Sequence, residues 1–427
     1  MRGDWETRRI STLKRHSGVW RVGAAAVAAV IVAEAGVWLL RPREPQIEPV
    51  SVAESDYFTN AQLERARDYQ SGQRALFVAT IALQGGVLVL LALGRPRSVR
   101  RRLDALGARP LLGAAAAGAA IALTLTLVAL PPRVVAHERA VDVGLSTQGI
   151  GAWLGDQAKS AAIGAALAAA GAALLIALLR RFGRLWWIPA TGAVIAIEVV
   201  FVWLAPVVLA PIFNRFEELP PGKARSAVLE LGRRAGVDIG EVYRVDASRR
   251  STSLNAYVDG IGPTKRVVLY DNLLKGVERP ALRSVVAHEL GHVDHRDILR
   301  GMTWVALAAP LALLFTGMLA SRLARRTDAD LATPAGLPAL ALALALTSFV
   351  LGIIGNQLSR EIEASADTFA LELTDDPDAL IDLQRRLAVA NVADPDPPGI
   401  VTELLRTHPP TIDRIGAAEA WKRGERP

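Results

Sequence analysis

Seven apolar stretches, each near or above the roughly 18 residues that a helix needs to cross a bilayer, dominate this chain. They lie at 22–40, 75–94, 110–130, 160–179, 185–212, 302–320 and 335–355. Lipid offers no partner to a main-chain N–H or C=O, so such runs must satisfy themselves as helices. A hydrophobic content of 51% and a mean hydropathy of +0.28 over 427 residues agree with a membrane body. The fifth stretch, "LWWIPATGAVIAIEVVFVWLAPVVLAPIF", is long enough to tilt, or to break at Pro206 and Pro211. The seventh, "AGLPALALALALTSFVLGII", alternates like a strand, but its unbroken apolar length predicts a spanning helix. A basic head, residues 1–21, precedes the first stretch without a small-residue cleavage pattern, so that stretch reads as a retained anchor.

The chain has no cysteine, which excludes disulfides, thiol catalysis and thiolate metal ligands. Any metal must sit on histidine and carboxylate. The net charge of +7 raises the question of nucleic acid, but arginines gather in short loops beside the spans, where anionic headgroups and topology account for them. The partner expected from this charge pattern is therefore a lipid bilayer, with no nucleic acid. "RPRSVRRR", "RRFGR" and "RLARR" would be cytoplasmic by the positive-inside rule, putting the opposite ends of those spans outside the cell.

Two stretches are too polar for lipid: 213–301 and the tail from 356 to 427. Two spans, within 302–355, separate them, so both emerge on one side of the membrane. The division expected is a head (1–21), five spans with loops (22–212), a soluble segment (213–301), spans six and seven (302–355) and a second soluble segment (356–427). In the first soluble segment, "KARSAVLELGRRAGV" has helical spacing with a stop at Gly236. "EVYRVDA", "SLNAYVDG" and "KRVVLYDNLL" read as strands, the last two joined by a turn at "DGIGPT". Pro280 can open a helix that Gly301 can close.

That helix carries "VVAHELGHVDH", two histidines and a glutamate within five positions of a chain with six histidines. Residues four apart share a helix face, so His288 and His292 can offer imidazoles to one zinc ion. Glu289, beside the first of them, is placed to act as general base toward a metal-activated water. A catalytic site needs a third protein ligand. A third histidine six residues beyond His292 is ruled out, because Ile298 stands there. His295, on a nearby face, is one candidate and otherwise reads as a polar surface residue. Glu363 in "EIEASAD" is the other: it comes from a second helix, which closes a tetrahedral site more naturally. Asp367, four residues on, can then accept the second N–H of a ligand histidine. Glu361 points elsewhere, as an exposed acid or a partner for Arg360.

The ordered series "GLSTQGIGAWLGDQAKS", "APIFNRFEELP", "SLNAYVDGIGPTKRVVLYDNLL", "VVAHELGH", "NQLSREIEASADTFAL" and "THPPTIDRI" resembles the type I CAAX prenyl endopeptidases, integral-membrane zinc proteases of the gluzincin class, across roughly residues 60–420. The resemblance implies a mainly α, polytopic membrane protein of about seven transmembrane helices around a hydrated chamber. A small α+β gluzincin-like zinc metalloprotease domain would close one end. It implies one zinc per chain on His288, His292 and Glu363, with Glu289 as the base. His408 and Arg414 would stand near the transition state or its supporting network. In "NAYVDG", an extended edge could accept a peptide as an added strand, with main-chain bonds from around Asn255, Ala256 and Tyr257.

Glu34, Glu198 and Gln84 fall inside spans and should face the protein interior or water. The function expected is a zinc-dependent integral-membrane endopeptidase hydrolysing peptide bonds of a peptide or membrane-protein substrate, with a multi-pass location in a bacterial cytoplasmic membrane; the positive-inside rule puts the catalytic side outside the cell, whereas the resemblance to eukaryotic members implies the cytosolic side. The alternative is a peptide-binding membrane scaffold or chaperone whose zinc is structural. A site-2-type intramembrane protease fits poorly, because Asp294, Arg296 and Asp297 crowd the motif with charge.

Overall fold

The structure is a computed structural model that describes residues 4–94, 96–259 and 265–426. Helix α1 spans Asp4–Leu40, so the basic head from Asp4 onward continues into the first span as one helix. Next come α2 (Asn60–Val89), α3 (Arg97–Leu106), α4 (Pro110–Asp142) and α5 (Ile150–Phe182). The sixth helix, α6 (Trp187–Leu204), runs through a π-helical turn at Ala205–Leu209 into the short α7 (Ala210–Phe213). The fifth span therefore breaks at neither Pro206 nor Pro211: the helix runs on to Phe213, and the wider turn absorbs the hydrogen bond that Pro206 cannot donate.

Among the described residues, seven helices are long and apolar enough to cross a membrane: Trp20–Leu40, Asn60–Gly94, Pro110–Asp142, Ile150–Leu185, Trp187–Phe213, Asp297–Arg325 and Pro334–Thr374. Their apolar side chains remain largely open, Val207 at 67% and Trp38 at 66%, which in water would be prohibitive and in lipid is required. Packing runs from α4 to α5, α6, α11 (Asp297–Arg325), α12 (Leu337–Thr374), α2 and back to α4, with α1 against α11 and α12. Glu34 is satisfied inside this body by the Gln357 amide at 3.2 Å, and the Gln84 amide donates to Leu125 O at 3.2 Å. Glu198 Oε2 has no hydrogen-bond partner among the described residues.

Between the fifth and sixth spans lie β1 (Phe216–Glu218), α8 (Lys223–Arg234), β2 (Glu241–Val245), β3 (Ala256–Asp259), β4 (Arg266–Tyr270), α9 (Asp271–Gly276) and α10 (Arg279–Asp294). The strands form one sheet, ordered β1-β2-β4-β3, with β2 parallel to β4 and the outer pairs antiparallel. Most of the turn expected at "DGIGPT" lies outside the described residues. Alternation gives the sheet two faces. One buries Val242, Val267 and Leu269 against α8 and α10; the other carries Tyr243, Tyr257 and Tyr270. Arg266 donates to Pro206 O at 2.9 Å and stacks on Phe216 and Tyr243, tying β4 to the end of the fifth span.

Gly301 does not close α10. That helix ends at Asp294, Arg296 adopts a left-handed φ of 55°, and α11 (Asp297–Arg325) begins at once with Gly301 inside it. The seventh span belongs to α12 (Leu337–Thr374), 38 residues without a break, about 57 Å long at 1.5 Å per residue. That is nearly twice the roughly 30 Å of hydrocarbon, so its C-terminal half extends well past the lipid. Then follow α13 (Pro377–Ala390), capped by the Asp376 side chain on Ala379 N, α14 (Gly399–Leu405) and α15 (Thr411–Lys422). Leu371, Leu380, Leu383 and Ile415 from these helices complete the core begun by Leu231, Leu269 and Leu290. Leu269 is fully buried at the centre of this core. Leu269→Ala should lower stability by about 2–5 kcal/mol, read as a lower midpoint of denaturant unfolding in detergent.

Candidate metal centre

Pro280 sits in the first turn of α10, and one face of the helix buries Ala281, Leu282, Val285, Val286 and Leu290. The opposing face meets α12 at Gly291. A Cβ built there would lie 3.2 Å from Ala366 Cα and 3.2 Å from the Phe369 ring, so any larger residue would crowd the helix contact and push α12 back by a few tenths of an ångström. The approach brings His288 and His292, one turn apart on α10, in front of Glu363 on α12.

One donor atom from each of these three residues lies within 4.8 Å of the others. His292 Nε2 is 3.2 Å from His288 Nε2, His288 Nε2 is 3.3 Å from Glu363 Oε2, and His292 Nε2 is 3.7 Å from Glu363 Oε1. Ligands on a tetrahedral ion with bonds of about 2.0–2.1 Å stand about 3.3–3.4 Å apart, so the donor set fits such an ion. Glu363 Oε2 is buried and lacks a well-directed hydrogen bond, as expected of an atom reserved for a cation.

Each imidazole is braced from behind. Asp367 Oδ1 stands 2.9 Å from His288 Nδ1, and Arg414 holds both Asp367 oxygens at 2.6 Å. On the other side, Asp297 Oδ2 stands 3.0 Å from His292 Nδ1, and Arg300 donates to Asp297 Oδ1 at 2.8 Å. A carboxylate accepting from Nδ1 fixes the tautomer that leaves Nε2 free for a metal. Burial pushes the His288 imidazole down, and the Asp367 and Glu363 carboxylates beside it pull the other way. Burial pushes the partly buried Glu289 carboxyl up, against the opposing pull of His288 and His292. Arg414, despite its own burial, is kept firmly charged by Asp367.

The structure brings together His288, Glu289, His292, Glu363, Asp367, His408 and Arg414. His408, exposed in the loop before α15, places Nε2 3.3 Å from Glu363 Oε1 and Nδ1 2.8 Å from Thr407 Oγ1. His295 lies outside the cluster, against Ser365 at 3.2 Å and the Phe369 ring. Arg360 pairs with Glu403 at 2.8 Å rather than with Glu361. Asp297 is the residue that sequence reasoning passes over. It lies five positions beyond His292, off the face of a continuous helix, and only the turn at Arg296 brings it back.

Strand β3 is the sheet's edge nearest the cluster, and α10 packs beside it. Tyr270 N donates to Asn255 O, so in the antiparallel register Asn255 and Tyr257 turn their main-chain groups inward to β4. Ala256 and Val258 turn theirs outward; the Val258 N–H reaches Glu289 and the Ala256 N–H is covered by Asn255 Oδ1 at 3.0 Å. Glu289 stands between two cavities. One of about 220 Å³ is lined by Leu254, His288, Leu383, Asn391, Arg406 and His408; another of about 530 Å³ is lined by Val258, His292, Arg296, Ile298, Leu299 and Ile362.

Comparison with known proteins adds to this geometry. The model of peptidase family M48 matches residues 219–422, and the model described as "CAAX prenyl protease N-terminal, five membrane helices" matches residues 46–215. An uncharacterized metalloprotease, YhfN, of Bacillus subtilis is 28% identical over 88% of both chains. A CAAX prenyl protease 1 homolog of Taenia solium is 26% identical over 65% of each. The crystal structure of S. mikatae Ste24p superposes with a TM-score of 0.75 at 18% identity, covering 93% of this chain and 98% of that one, which establishes the shared fold. Because Asp297 orients His292, Asp297→Ala should weaken metal affinity about 10–100-fold, measured by competition with a chromogenic chelator.

Proposed function

The chain belongs to peptidase family M48 and is a multi-pass membrane metallopeptidase; on that premise we propose that it is a zinc endopeptidase with His288, His292 and Glu363 as ligands. The observation that carries the assignment is the convergence of these three donors from α10 and α12, each histidine braced by a carboxylate and an arginine. Nitrogen and oxygen donors without sulfur suit zinc in an open, catalytic arrangement. Bound there, zinc would polarise a peptide carbonyl and lower the pKa of a water molecule to about 7.

Glu289 is the proposed base. Its carboxyl, raised by burial, is tuned to take a proton from the attacking water and to return it to the leaving amine. His408, next to Glu363, is the proposed donor to the oxygen that gains charge as the carbonyl is attacked. Arg414 and Asp367 act through His288 by holding its ring. The outward main-chain groups of Ala256 and Val258 offer a short ladder to an extended peptide beside the reaction centre, which favours main-chain recognition over a fixed side-chain code. In this reading 22–212 and 302–355 form the membrane body, while 213–301 and 356–427 form the catalytic unit. Peptide segments of membrane-associated proteins are the proposed substrates, by analogy with relatives named for prenylated CAAX proteins. The location proposed is a bacterial cytoplasmic membrane.

Glu289→Gln should retain one zinc per chain and lose cleavage by about 10²–10⁴-fold, measured by metal analysis beside peptide hydrolysis in detergent. Cleavage at the wild-type rate would remove the base assignment. Glu363→Ala should lose stoichiometric zinc; a variant that still holds it through dialysis against chelator would require a different third ligand.

A further inference from the structure

A third cavity, of about 560 Å³, shares no lining residue with the two beside Glu289. It forms where the linker between α4 and α5 pairs with the chain ahead of β3: Thr147 N donates to Arg250 O at 3.1 Å, Thr252 N donates to Leu145 O at 3.0 Å, and Ser146 is bridged to Ser251. Its walls are the end of the third span and the start of the fourth. Each presents two residues one helical turn apart, Arg133 and His137 from α4, Trp153 and Gln157 from α5. The His137 and Trp153 rings stack at 4.8 Å and 15°, which holds the walls together.

The walls offer donors and no anion to receive them. Among the described residues, Arg133, His137 and Gln157 have no hydrogen bond or ion pair, and no carboxylate lines the cavity. His137 is only 7% exposed, and its buried Nε2 lacks a partner. Buried polar atoms are normally paired, so an imidazole left this way on a cavity wall marks a place for a ligand. Arg250, the other cation on the wall, is already committed through Nε to Asp156 and through Nη1 to Asn214, both at 2.9 Å. The uncancelled charge is that of Arg133.

Depth and shape identify the occupant. Arg133 lies three residues past the apolar stretch 110–130, and Gln157 three residues ahead of 160–179. Three residues are about 5 Å along a helix, the depth of the headgroup layer. Below Gln157, the same face of α5 carries Ser160, Gly164, Leu167 and Gly171, all exposed, and nothing lies within 4 Å of where a Cβ on either glycine would stand. This open lane runs about 21 Å from the cavity into the apolar stretch.

We propose that the cavity is a phospholipid site. The phosphate of an anionic headgroup accepts from Arg133, His137 and Gln157, and an acyl chain lies along the lane on α5. Phosphate oxygens give a guanidinium short, charge-assisted hydrogen bonds. A zwitterionic headgroup brings its own cation beside Arg133, so net-negative lipids are preferred. The bound lipid ties the ends of two spans to the chain that leads into β3.

Native mass spectrometry of the full-length protein in detergent, titrated with phosphatidylglycerol or phosphatidylcholine, reads the affinity for the first lipid bound. Phosphatidylglycerol should bind about tenfold more tightly. Arg133→Gln, at an exposed position, and His137→Gln should each lose about fivefold or more of that affinity at wild-type melting temperature. Arg180→Gln, which removes the same charge at the far end of α5, should keep it. Leu167→Trp, which obstructs the lane, should weaken both lipids alike. Equal wild-type affinity for the two lipids, or a preference that survives Arg133→Gln, overturns the site. Inorganic phosphate that raises the melting temperature of wild type but not of Arg133→Gln, with no preference between lipids, overturns the lipid as its source and gives the cavity to a free anion. Unchanged binding of both lipids by Leu167→Trp overturns the acyl lane. Should His137→Gln not fold, Arg133→Gln decides.

Discussion

The contact of α10 with α12 at Gly291 is the constraint from which the site follows. The two imidazoles and the carboxylate are about 70 residues apart in sequence and meet where Gly291 of α10 lies close against Ala366 and Phe369 of α12. Everything behind the cluster holds that approach in place. Leu290 and Leu371 are fully buried in the core beside it, and Arg414 from α15 closes the rear with both of its bonds to Asp367. A buried Arg–Asp pair is a poor source of net stability, because both ions lose water. Here it does something packing cannot, which is to fix the direction of a hydrogen bond to His288.

The arrangement is symmetric in its chemistry though not in its origin. His288 is backed by Asp367 and Arg414 from distant helices, and His292 by Asp297 and Arg300 from the turn immediately after its own helix. Each carboxylate is held on its far side by a guanidinium, so neither is free to swing away from its ring. The left-handed φ at Arg296 is the local cost of the second brace. A non-glycine residue in that region carries strain, and it persists because a fully helical junction would point Asp297 elsewhere.

Much of this was legible in the residues. Spans declare themselves by apolar length, and the four-residue spacings of His288 with His292 and of Glu363 with Asp367 need only helical periodicity to be read. What escaped the sequence depends on breaks and on distance. Gly301 looks like a stop, yet the helix breaks five residues earlier at an arginine, so Asp297 could not be assigned to His292. Strand β1 has three residues and no periodicity to show. The capping of Leu254 by Asn391 joins residues 137 positions apart, and the pairing of Leu145 with Thr252 joins 107, neither with any local signal.

Helix α12 is unbroken from the apolar turns at Leu340 and Leu342 to the carboxylates at Glu363 and Asp367. A straight helix does not let its two ends orient independently. The direction in which Glu363 points is therefore coupled to turns about 30 Å away, where Leu340 and Leu342 are packed among the other apolar helices. Bilayer and active site share a single mechanical element, and the membrane is part of the scaffold that aims the chemistry as much as it is the place where the chemistry happens.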